Sequence, residues 1–318
     1  MVLPRFIRPL LVVGGLLAVA VLGYGCSSMR CDGAGKGHKC TFVGEPPPRH
    51  TRSPHQPPWS DEYHDIARDL PVVSDFVFTL TNEERKGLGH PPLEHDQTLS
   101  QIACWHNQDM IGHNYLGHED SDDRSPQDRV AREHRRLIGA GYGENANEML
   151  PGKTRKNSKA DKRAWAEEIV TEWMNSAGHR ANILRGRWTH FGACVSADST
   201  ESRATQIFAS VQAYLDEPLP WAMTPGDSVS VSFTLVKADH PPTEYEFVPA
   251  GEPLAEAFEK EGRGKPFDGT LYLPTSPGEY GLRLLIPAQG GRSRLYAVVK
   301  GPRVLVLEEG TPAYEHAL

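Results

Sequence analysis

The sequence predicts an α+β fold. Helix-start signals and helical spacing of apolar residues recur between Ser74 and about residue 180, and two strand-like runs follow at residues 191–195 and 207–211. Beyond residue 218 the helical pattern gives way to alternating runs separated by Gly and Pro turns. Helices followed by paired strands point to a layered α+β domain with an all-β domain behind it. The length of 318 residues accommodates about two domains on a ~150-residue prior. A net charge of −7 argues against a nucleic-acid partner, which calls for a basic face.

Residues 1–25 read as an export signal. Arg5 and Arg8 precede an apolar run from Leu10 to Leu22, too short to favour a spanning helix. Gly25-Cys26-Ser27-Ser28 resembles the end of a bacterial lipoprotein signal, with Cys26 as the lipidated first mature residue. Leu22 lies four residues before Cys26 where three is usual, and a plain signal peptide or uncleaved anchor is the alternative. Each reading takes the chain out of the cytoplasm, to the cell envelope as a membrane-anchored lipoprotein or to the exterior as a secreted protein. Residues 26–70 form a tether, with Pro46, Pro47, Pro48, Pro54, Pro57 and Pro58 favouring an extended spacer.

Export makes disulfides permissible. With Cys26 set aside, Cys31, Cys40, Cys104 and Cys194 allow three pairings. The favoured one joins Cys31 to Cys40 in the tether and Cys104 to Cys194, stapling a helix to a strand. No C-x-x-C supports a cysteine metal site.

Residues 71–218 hold the globular α+β pattern. Phe76 and Leu80 suggest a first helix ending near Gly87, where glycine offers a left-handed cap. Asp96 is a good N-cap for a second helix carrying Leu99, Ile102, Ala103, His106 and Met110. Ser125-Pro126 opens a third. Ser158 with Asp161 resembles a capping box before a fourth, whose Trp165, Ile169 and Trp173 share one face. In residues 219–318 the runs Val229–Leu235, Thr270–Leu273, Tyr280–Ile286, Leu295–Val299 and Val304–Leu307 read as strands of a small, immunoglobulin-like sandwich.

Three short segments carry metal-capable side chains: Gly117-His118, Gly143-Glu144-Asn145, and Gly178-His179-Arg180-Ala181-Asn182-Ile183-Leu184. Two imidazoles and a carboxylate are ligands that zinc or another divalent cation takes, leaving a position for water. With Asn82-Glu83-Glu84-Arg85, Ala103–Met110, Gly141-Tyr142 and Trp173-Met174-Asn175-Ser176 they occur in one order that resembles the bacterial branch of the CAP superfamily. The name covers cysteine-rich secretory, venom-antigen and pathogenesis-related proteins. The resemblance spans roughly residues 71–216 and implies a three-layer α-β-α sandwich with a central cleft. It also implies a tetrad of two histidines and two glutamates that binds zinc or another divalent ion in some members. His118, Glu144 and His179 match three of those positions. Ser176 stands where the second glutamate would be, and Glu172, beside Trp173, points elsewhere around the helix.

The family has no general enzymatic activity, so the expected function is extracellular binding of a lipid, cell-wall or protein ligand through this cleft. The alternative is a metal-dependent hydrolase of peptide or cell-wall substrates with Glu144 as base. One glutamate cannot fully serve as both ligand and free base, and neither an H-E-x-x-H helix nor a nucleophile elbow is present. A hydrogen-bond network joining the three side chains is the competing account of the site. His106 reads as a hydrogen-bonded core residue, and His113 and His190 as cleft-rim or surface residues. The basic stretch Lys153, Arg155, Lys156, Lys159, Lys162 and Arg163 reads as a solvated loop and helix start, with anionic lipid or cell-wall contact as its alternative.

Overall fold

A computed structural model describes residues 28–31, 40–43, 67–149, 158–250, 264–287 and 296–311. The expected signal segment, Cys26 with its lipidation, and most of the tether lie outside these residues. A first compact unit, residues 1–46, contains β1 (Ser28–Cys31) and β2 (Cys40–Val43) in antiparallel register, with Cys31 paired to Cys40. The expected bond between those two side chains lies outside the described residues.

The second unit, residues 47–318, runs β3 (Arg68–Asp69), α1 (Pro71–Gly87), β4 (Glu94–His95), α2 (Gln97–Gly112), α3 (Pro126–Glu133), β5 (Leu137–Met149), α4 (Lys159–Asn175), α5 (Ala177–Ile183), β6 (His190–Ala197) and β7 (Ser202–Leu215). It continues through β8 (Ala222–Met223), β9 (Ser228–Ser230), β10 (Phe233–Leu235), β11 (Glu244–Pro249), β12 (Lys265–Pro266), β13 (Thr270–Tyr272), β14 (Gly278–Pro287) and β15 (Tyr296–Val306). Among the described residues, no helix is long and apolar enough to cross a membrane.

Local chemistry sets the helix starts. Pro71 opens α1, where its missing N–H costs nothing. The Asp96 carboxylate accepts the Leu99 N–H at 2.9 Å to cap α2, and reciprocal capping boxes start α3 (Ser125, Asp128) and α4 (Ser158, Asp161). The left-handed residue after α1 is Gly89, at φ 81°, two positions beyond the expected Gly87.

Strand alternation divides the layers. Phe191, Ala193 and Val195 of β6 and Ala204 and Phe208 of β7 pack against Val73, Val77, Ile169, Val170 and Trp173 of α1 and α4. Cys194, Ile207, Ala209 and Val211 point the other way, onto Leu99, Ile102 and Ala103 of α2 and Val130 of α3. The sheet is thus covered on both faces. Gly192 lets α2 approach: a Cβ there would lie 2.1 Å from the Ser100 nitrogen. The Cys104–Cys194 disulfide, S–S 2.07 Å, ties α2 to β6 as expected.

The C-terminal strands depart from the expected separate sandwich. One eleven-stranded sheet runs β12-β11-β14-β15-β5-β7-β6-β3, with β10 on β7, β4 on β6 and β8 on β15. β15 meets β5 at Lys300–Gly139, and β10 pairs with β7 instead of continuing β9. Beside it stands a two-stranded sheet, β13-β9. The physical reason is a shared core. Ile138, Ala213 and Leu215 are buried together with Tyr245, Leu271, Leu282, Leu284, Val299 and Val304, so apolar surface on both sides of residue 218 is covered in one cluster. Arg303 of β15 also bonds Asp128 of the α3 capping box and lies 3.2 Å from Glu279.

Candidate functional site

Glu144 lies on β5 just beyond two register shifts against β7, between Ile138 and Tyr142. Such irregularities re-aim the side chains that follow. Paired with Ile207, Glu144 faces the α2–α3 layer, while Asn145, paired with Gln206, faces α1, α4 and α5. Gly143 keeps the strand close to Trp188, since a Cβ there would lie 2.8 Å from the indole.

The Glu144 carboxylate is 1% exposed and engaged on both oxygens. Oε1 is 2.9 Å from His118 Nδ1 and 3.7 Å from His106 Nε2; Oε2 accepts from Arg129 Nη2 at 2.5 Å. Arg129 is itself fixed, its Nη1 donating to the carbonyls of His118 (2.8 Å) and Arg124 (2.9 Å). Burial pushes the Glu144 carboxyl up, but His106, the His118 hydrogen bond and the Arg129 charge outweigh it and hold it below the ordinary carboxylate range.

The histidines differ. His118 has a side chain 58% exposed, and its hydrogen bond to Glu144 raises its pKa against burial. His179, half-buried on α5, is shifted down by burial and then by the nearby His118. His106 is a core histidine, as expected, with Nε2 2.9 Å from the Gly117 carbonyl. His113 is half-buried against Asp109. His190, expected at the cleft rim or surface, is buried in β6 with Nε2 3.3 Å from Glu94, because β4 pairs with that end of the strand.

Two asparagines join the Glu144 and His179 segments. Asn182 donates to the Glu144 carbonyl (2.9 Å) and the Asn145 side chain (3.1 Å), and Asn145 donates to the His179 carbonyl (3.2 Å). His179 is therefore held beside β5 through backbone. Ser176 ends α4, and Glu172 accepts from Asn147 at 2.6 Å on the opposite strand face from Glu144.

The fit to a metal is partial. Among the described residues, the one group of three His, Cys, Asp or Glu donors within 4.8 Å of one another is Asp69, Cys104 and Cys194, and its sulfurs are joined in the disulfide. His118 and His179 remain as imidazole donors, whereas Glu144 is already neutralised by Arg129. Arg129 was not singled out in the sequence, although a signal existed. An arginine near the start of a helix stands at the unfavourable end of the dipole, which marks it as serving another negative charge.

Fold and site together define a domain of the CAP superfamily. Residues 78–214 match the family model described as CAP, the cysteine-rich secretory protein family, so this part of the chain is a CAP domain. Two curated relatives come from Bacillus subtilis (strain 168): the uncharacterized protein YkwD, 38% identical over 116 residues, and the uncharacterized membrane protein YlbC, 32% identical over 120 residues. The matches cover 36% and 37% of this chain and 39% and 30% of those proteins, so this chain spans well under half of either relative. Among solved structures, an extracellular protein containing a SCP domain from Bacillus anthracis is similar at 24% identity and TM-score 0.35, covering 54% of this chain and 46% of that one. An outer surface protein from Borrelia burgdorferi is similar at 15% identity and TM-score 0.35, covering 46% of this chain and 98% of that one.

Proposed function

We propose that this chain is a cell-envelope binding module, anchored through lipidated Cys26 or secreted, whose cleft at His118, Glu144 and His179 holds a lipid, cell-wall or protein ligand, or a divalent cation such as zinc, without turning it over. The observation that carries this reading is the engagement of Glu144. A buried carboxylate, ionised below its usual range and bonded on both oxygens, lacks the free basicity that a hydrolytic general base needs. The hydrolase alternative would require Arg129 to release it. His118 and His179 are the groups left to meet a ligand, and a divalent ion held by them would add a Lewis-acidic contact point. Arg163 of the basic stretch is paired with Glu83 and Glu167, which favours a solvated face there.

The test uses full-length protein purified without an affinity tag, titrated with zinc beside a His118→Ala/His179→Ala double variant. Metal binding is expected to weaken at least tenfold in the variant; equal, weak binding by both forms removes the metal from the proposal. Turnover of a peptide or cell-wall substrate that disappears in Glu144→Gln would overturn the binding reading in favour of the enzyme.

A further inference from the structure

Between α2, α3 and the loop that joins them lies a cavity of about 20 Å³. Its walls include His106 and Arg129, respectively 1% and 5% exposed, together with Ile102 and Trp105. His106 Nδ1 and Arg129 Nε are both buried without a hydrogen-bond partner, although the other nitrogens of the two side chains are engaged with Gly117, His118, Arg124 and Glu144. Leaving such atoms unmet carries the full desolvation penalty of each group.

The two atoms are chemically opposite. The Gly117 carbonyl can only accept, so His106 Nε2 carries the ring proton and Nδ1 presents a lone pair. Arg129 Nε can only donate. An anion would face the Nδ1 lone pair, and a cation would face the Arg129 N–H. A neutral species with one donor and one acceptor suits both, and the volume meets the ~10–15 Å³ that one water requires. Two carboxylates on the wall are committed elsewhere: Asp109 to Ser121 and Tyr115, and Asp120 to Arg124. A third, Glu133, has Oε1 3.7 Å from Arg132.

We propose that this cavity is a binding site for one ordered water that donates to His106 Nδ1 and accepts from Arg129 Nε. With the ring held as its Nε2–H tautomer by the Gly117 carbonyl, the water meets Nδ1 and ties down the guanidinium whose far end holds Glu144, so solvent helps to position Glu144. The site is independent of what the open cleft binds.

A high-resolution crystal structure of the full chain grown with bromide tests this. The expected result is a solvent peak within hydrogen-bond distance of both His106 Nδ1 and Arg129 Nε, without anomalous signal. A bromide anomalous peak there, no peak, or direct closure of the two side chains overturns the proposal. In solution, long-range ¹⁵N–¹H spectra at neutral pH are expected to show His106 protonated at Nε2 and bare at Nδ1. A ring protonated at Nδ1 also overturns it.

Discussion

Replacing Arg129 by Met tests the account of the cleft most sharply. The substitution keeps an apolar stem but removes the guanidinium that bonds Glu144 Oε2 and the carbonyls of His118 and Arg124. It leaves an ionised carboxylate, 1% exposed, with His118 as its remaining close hydrogen-bond partner. Breaking one side of a buried pair costs about 3–5 kcal/mol, and that is the expected loss at neutral pH. Combining Arg129→Met with Glu144→Gln removes the stranded charge, so the double variant should recover a substantial part of the loss, a coupling of about 1–3 kcal/mol. Urea unfolding, with both midpoint and slope compared, reads this directly.

The pH dependence follows from the direction of the Glu144 shift. In the wild type its folded pKa is depressed, so the stabilisation is present above the ordinary carboxyl range and is lost as pH falls through the depressed value. In Arg129→Met, loss of the guanidinium raises the folded pKa relative to the wild type, so the variant's deficit should narrow as the solution is acidified toward the carboxyl range. A cost below about 1 kcal/mol, or a double variant whose losses simply add, would refute the claim that Arg129 neutralises Glu144.

Two further outcomes follow from packing and burial. Gly192→Ala would place a Cβ 2.1 Å from Ser100 N and 2.4 Å from Leu99 C, both backbone atoms, so α2 must lift from the sheet. A loss of at least ~3 kcal/mol is expected on thermal unfolding, and an unchanged Tm would contradict that close approach. Lys300, at the β15–β5 junction, is pushed down to about 8 by burial and by Arg283. Its folded form disfavours the charge, so wild-type stability should rise from about pH 8 toward the ordinary lysine range near ~10.4. Lys300→Met should therefore raise Tm at neutral pH, with the gain fading near the upper end of that window; a gain that is constant with pH would assign it to packing instead.

What was legible in the sequence was mostly local. Asp96, Ser125 and Ser158 announce helix starts because a cap and its N–H partner lie within three residues. The family resemblance was legible through its ordered motifs. Strand partnership was not, since alternation in Val304-Leu305-Val306 reveals a buried face but not which strand lies alongside. Pairing Lys300 with Gly139 is a contact between distant parts of the chain, and the shared core around Ile138 and Leu215 appears only once both are folded. Arg129 was hidden for a related reason: its target, Glu144, lies on another element, and a short polar helix looks solvated when read alone.

The bond from Arg303 to Asp128 gives the last third of the chain a role in the surroundings of Glu144. Asp128 closes the first turn of α3, and the next residue is Arg129. β15 thus acts as a splint on the helix that supplies the counter-charge to Glu144, although it lies beyond residues 78–214, where the family resemblance ends. The piece that resembles its relatives is smaller than the piece that folds. A polypeptide cut at residue 218 would uncover Ile138 and Leu215 and free α3 at its capping turn, so its behaviour would describe a loosened Arg129–Glu144 pair rather than the native one.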